Sequence, residues 1–78
     1  MKYMDGKEVK VGDRVKLWHD CRGVVVCSMD TNEYNDQFPR EEWEYLRAGV
    51  LIDSDKAGLI HYLDPSPELE LIERAKVD

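Results

Sequence analysis

Long apolar runs are absent. The longest unbroken one, Val24-Val25-Val26-Cys27, is far below the ~20 residues that a membrane-spanning helix requires, so no membrane partner is expected. Basic charge is scarce. Eleven Lys and Arg stand against seventeen Asp and Glu, for a net charge of −6 and a pI near 4.8. Gripping nucleic-acid phosphates needs the opposite balance, so nucleic acid is not an expected partner either. Cysteine is limited to Cys21 and Cys27, and Met1-Lys2-Tyr3-Met4-Asp5-Gly6 contains no apolar leader. The expected location is therefore the reducing cytoplasm, with both thiols free. Length is short as well. A chain of 78 residues buries only roughly 60–65% of the surface its unfolded form exposes, which leaves a thin core and no space for a deep cofactor cleft. No glycine-rich phosphate loop occurs, Ser28, Ser54 and Ser66 sit in no nucleophile elbow, and His19 and His61 belong to no acid–base signature. Neither an enzyme nor a bound cofactor is expected.

What is present points to one folded β domain over residues 1–78. A hydrophobic fraction of 42% with seven aromatic residues is too apolar for a disordered chain. Short apolar runs alternate with turn signals, the pattern of a small all-β unit. Asp5-Gly6 suits a tight hairpin turn. Val9 and Val11, then Val15 and Leu17 after Gly12-Asp13, alternate with polar residues at period two, which places Trp18 on the polar side with Arg14 and Lys16. His19 to Gly23 reads as a loop. Gly23 to Met29 is the strongest strand, with Val24 and Val26 on one face and Val25, Cys27 and Met29 on the other. A strand apolar on both faces belongs in the middle of a sheet. Val50 to Ile52, Leu59 to Leu63 and Glu68 to Glu73 read as further strands, and 74–78 as a frayed tail.

Between the strands lies a different kind of segment. Residues 30–45 carry Asp30, Glu33, Asp36, Glu41, Glu42 and Glu44 against Arg40 alone, a net of −5. Pro39 suits a first helical turn, acids follow at the positive end of the helix dipole, and Gly49 suits a helix stop. The expectation is one short helix over about 39–48 within an acidic loop–helix insert spanning 30–48, its buried stripe formed by Trp43, Leu46 and Phe38.

The run Val9-Lys10-Val11-Gly12-Asp13-Arg14-Val15, followed by Gly23-Val24-Val25-Val26, resembles the opening of SH3-like small barrels of the KOW and Tudor type, and Leu69-Glu70-Leu71-Ile72 looks like their closing strand. As a whole the chain looks like small bacterial proteins to which no activity is assigned. The resemblance implies an SH3-like barrel or a strongly curled antiparallel sheet of five to six strands, here with one inserted helix. Members of the KOW type often bind RNA or ribosomal partners through basic loops. This chain lacks the basic excess, so that function does not carry over.

Three function classes follow. The first is a non-enzymatic acidic module that binds a protein partner, in its sharpest form an immunity- or antitoxin-like inhibitor covering a basic enzyme cleft. Its candidate contact residues are Trp18, on the polar side of its strand, and Tyr34, Asp36, Glu41, Glu42 and Glu44 from 30–45, where acids and aromatics concentrate on a segment the sheet does not need. The second is a metal or small-ligand site built from His19, Cys21 and His61, all zinc-ligand residue types, although the paired spacing of structural zinc sites is missing. Asp30, Asn32, Asp36 and Glu41 fall at calcium-loop positions, but Asn35 stands where a glycine is required and Pro39 interrupts the loop. The third is a self-associating structural protein, monomer or homodimer, with 68–73 as the edge and its alternating glutamates opposing uncontrolled pairing.

Overall fold

The computed structural model describes residues 1–64 and 66–75. The protein is mainly β, with β1 (Arg14–Trp18), β2 (Cys21–Ser28), β3 (Val50–Ser54), β4 (Gly58–Tyr62) and β5 (Glu70–Glu73) forming one antiparallel sheet in the order β4-β3-β2-β1-β5. β2 is the central strand, as its apolar character on both faces requires. The Asp5-Gly6 turn closes a tight N-terminal hairpin joined by a single bridge, Lys2 to Glu8, with Gly6 at φ 92°. No helix among the described residues is long and apolar enough to cross a membrane.

The sheet curls around one core. Val15 and Leu17 from β1, Cys21 and Val25 from β2, and Val50 and Ile52 from β3 are buried with Tyr3, Val9 and Leu69, and Ile60, Tyr62 and Leu71 pack against them. A second cluster occupies the opposite face of β2 and β3: Val26, Cys27, Met29 and Leu51. The strict alternation expected along β2 breaks. Val25 pairs with Ile52, but Cys27 pairs with Leu51, because the register shifts between Val25 and Cys27. The irregularity sends Val25 inward and Val26, Cys27 and Met29 together to the outer face, as an extra residue in a strand does.

The same physics moves Trp18. The β1–β2 register shifts between Lys16 and Trp18, so the indole is half-buried against the inner cluster instead of standing on the polar side. The expected loop from His19 to Gly23 shrinks to His19-Asp20, with Asp20 at φ 68°, and Cys21 already belongs to β2. The helix is shorter than expected as well: α1 (Arg40–Trp43) runs into a 3₁₀ turn at Glu44–Leu46. It stops before Gly49 because the Ala48 N–H donates to the Leu46 carbonyl at 2.8 Å around Arg47, whose φ is 67° and ψ −34°. That is the tight γ-turn geometry. The expected frayed tail begins with an anchored residue. Arg74 donates to the Glu8 carbonyl at 2.7 Å and to Asp13 Oδ2 at 3.0 Å, while 76–78 lie outside the described residues.

Gly49 serves a close approach rather than a helix stop. At φ 82°, a Cβ placed on it would lie 2.0 Å from the Tyr62 carbonyl oxygen, a backbone atom that cannot yield. Gly6, at φ 92°, has nothing within 4 Å. Gly49→Ala should therefore cost more than about 3 kcal/mol or prevent folding, combining backbone strain with a clash. Gly6→Ala should cost only about 1 kcal/mol. Equilibrium urea unfolding of the two variants checks the difference.

Candidate functional site

The insert between β2 and β3 is fastened at both ends. Ser28 and Glu33 exchange backbone hydrogen bonds at 2.8 Å, and the Thr31 hydroxyl lies 2.8 Å from the Ser28 hydroxyl and 2.6 Å from Glu33 Oε1. Asp30 ties the start of the insert to its end: Oδ1 accepts from the Gly49 N–H at 3.0 Å, and Oδ2 accepts from the Met1 amino group at 2.6 Å. The Met1 ammonium and the Gly49 N–H hold the Asp30 carboxyl below the usual carboxylate range. In the middle, Asn35 Oδ1 accepts from the N–H groups of Gln37 and Phe38, closing the turn that leads into α1.

One side of the insert is an apolar stripe. Tyr34, Phe38, Trp43 and Leu46 pack half-buried on the outer cluster of Val26, Cys27, Met29 and Leu51. Phe38 and Trp43 are tilted with ring centroids 5.9 Å apart, and Tyr45 continues the row by stacking on Trp43 at 6.3 Å. The row runs from sheet to solvent, because Tyr45 is 67% exposed. Around it, Glu41 and Glu42 are exposed, and Glu44 is paired with Arg40 at 2.9 Å. Asp36 is also exposed.

The candidate contact residues therefore divide. Asp36, Glu41, Glu42 and Glu44 face solvent on the insert, and Tyr34 packs under it. Trp18 lies apart from the insert. It belongs to the inner cluster and borders a groove with His19, Pro67, Glu68 and Glu70. Tyr45 lies outside the contact residues expected from the sequence. The signal was its place two residues after Trp43: if the indole packs inward on a helical turn, the next aromatic cannot share that face.

The residues of the metal alternative are not gathered. Cys21 is buried in the inner core, His19 is exposed in the β1–β2 turn, and His61 donates through Nε2 to the Ala48 carbonyl at 2.7 Å. Among the described residues no three His, Cys, Asp or Glu side chains form a metal-binding group. Two shallow grooves of 410 and 460 Å³ share Arg14, Arg22 and Ile72, but their walls mix those bases with Asp53, Asp55, Glu70 and Glu73, and Arg14 is paired with Glu73 at 2.9 Å. The thiols are chemically quiet. Burial pushes Cys21 up and Cys27 up to about 11, so neither is a thiolate at neutral pH.

Compared with family models, curated proteins and solved structures, the chain finds no match.

Trp43→Ala should cost about 2–4 kcal/mol by emptying the seam between insert and sheet, whereas Tyr45→Ala should stay within about 0.5 kcal/mol, as measured by urea unfolding. With both thiols raised, a colorimetric thiol reagent at pH 8 should react slowly with the native protein and release two equivalents only on unfolding. The depressed Asp30 carboxyl contributes stability that is present above its unfolded value of about 4 and lost as pH falls through its lower folded value. Asp30→Asn should accordingly flatten the acid limb of a Tm–pH curve.

Proposed function

We propose that this protein is a non-enzymatic interaction module that presents the acidic insert to a basic surface of a protein partner. The observation that carries the reading is Tyr45, 67% exposed and stacked on Trp43 beside Glu41, Glu42 and Glu44. A tyrosine held rigid on an anchored indole offers contact area at little entropic cost, and tyrosines of this kind dominate binding energy at interfaces. The surrounding carboxylates would steer a basic partner into place and raise the association rate. The inhibitor reading, in which the insert covers the basic cleft of an enzyme, is the sharpest form of this proposal. The SH3-like reading and the cytoplasmic location belong to the same proposal. The meander β1 to β4, with β5 returning beside β1, supports the former.

The test is affinity capture from the native host with three baits: the intact protein, the Glu41→Lys/Glu42→Lys/Glu44→Lys variant and Tyr45→Ala. The expected result is a basic protein captured by the intact bait and lost by the triple variant. With the purified pair, the triple variant should associate about tenfold or more slowly at low salt, and Tyr45→Ala should mainly speed dissociation. Association that the triple variant leaves unchanged at low salt would remove the proposal.

A further inference from the structure

The sheet ends in two strands with no further strand beside them among the described residues, β4 and β5, and the two edges are built differently. β5 carries Glu70 and Glu73, and its register against β1 breaks between Arg14 and Val15. Charge and irregularity are devices that keep an edge from pairing with another chain. β4 has neither. From Gly58 to Leu63 there is no Asp, Glu, Lys, Arg or Pro, in a chain where 36% of residues are charged. Its register against β3 runs unbroken from Ser54 opposite Gly58 to Val50 opposite Tyr62. Among the described residues, no backbone hydrogen bond from Leu59 to Tyr62 reaches a segment other than β3. Leu59 is 44% exposed and Leu63, just past the strand, 60%.

We propose that β4 is a self-pairing edge, where a second copy of this chain adds antiparallel about a twofold axis through His61. The order of side chains argues for a second copy over an unrelated strand. His61 stands opposite Leu51 of the outer cluster, so Leu59 and His61 share the outer face, while Ile60 and Tyr62 pack on the inner core. In an antiparallel pair, residues directly opposite lie on the same face. Centring the pair on His61 sets Leu59 against Leu63 of the second copy on the outer face, and Ile60 against its Tyr62 on the inner. From Leu59 to Leu63 every opposed pair is then apolar except the one on the axis, and the first charge, Asp64, meets Gly58 at each end. Charge points the same way. Two copies each carrying −6 repel least where the approaching edges bear no charge. The twofold uses β4 on both copies, so the assembly closes as a dimer and does not grow into a fibre. This interface lies on a different strand from the insert and does not depend on the partner proposed above.

Sedimentation velocity from micromolar to near-millimolar concentration tests it, on the wild type, Leu59→Lys and Ile72→Lys. The wild type should pass from monomer to dimer across the range. Leu59→Lys should weaken the dimer by about tenfold or more, and Ile72→Lys, on the guarded strand, should dimerise like the wild type. A wild type that stays monomeric, or a dimer that Leu59→Lys leaves intact, overturns the proposal. Hydrogen exchange of the wild type gives an answer that needs no variant. Amides of Leu59 to Leu63 should exchange more slowly as concentration rises, and rates independent of concentration there overturn it equally.

Discussion

A single buried carboxylate gathers the ends of this chain. Asp13 is 1% exposed, and its Oδ2 accepts from the Tyr3 hydroxyl at 2.6 Å, the Lys10 N–H at 2.9 Å and Arg74 at 3.0 Å. Those partners come from the N-terminal hairpin, the turn before β1 and the segment after β5. The same turn is stitched to the central strand, since Gly12 N–H donates to the Val25 carbonyl and Val25 N–H to the Asp13 carbonyl. A carboxylate taken out of water is costly unless donors surround it. Burial and the adjacent Asp13 push the Tyr3 hydroxyl well above its ordinary range, which favours the protonated form that donates to Asp13. In a domain with so thin a core, this junction sets where the first and last segments lie over the open side of the curled sheet.

The rest of the architecture follows from having two apolar faces and too little chain to cover both. The inner face is covered by the curl of the sheet together with Tyr3, Val9 and Leu69 from outside the strands. The outer face of β2 and β3 is not, and the 30–48 insert covers it instead with Tyr34, Phe38, Trp43 and Leu46. The acidic side of the insert is thereby turned to solvent on a rigid support. Structure and the proposed binding role share one cause: the residues that seal the second cluster also hold Tyr45 out in front of the carboxylates.

Much of the fold was legible from periodicity. Val24 to Val26 marked the central strand, and the turn signals at Asp5-Gly6 and Gly12-Asp13 fell where the chain reverses. The misreadings share one origin. Strict alternation puts Trp18 and Cys27 on the wrong faces, because a register shift lies beside each. Such irregularities depend on how neighbouring strands twist together, a property of the assembled sheet that no local pattern carries. The early end of the helix has a similar source. Gly49 was needed against the Tyr62 carbonyl, and Arg47 took the turn instead. Arg74 looked like a tail residue because its partners, Glu8 and Asp13, are more than sixty residues away. At the candidate site, the acids were legible because exposure is their default, whereas Tyr45 emerged only once Trp43 was known to face the sheet.

Asp13 ties the N-terminal hairpin and the turn before β1 to the segment after β5. Urea unfolding of Asp13→Ala, read together with hydrogen exchange, tests that most directly. Removal of the carboxylate strands the buried Tyr3 hydroxyl and the Lys10 N–H, so the stability should fall by about 2–4 kcal/mol, with protection lost together in the N-terminal hairpin and β5. A loss below about 0.5 kcal/mol, the ordinary range for a surface substitution, with protection intact at both ends, would contradict it.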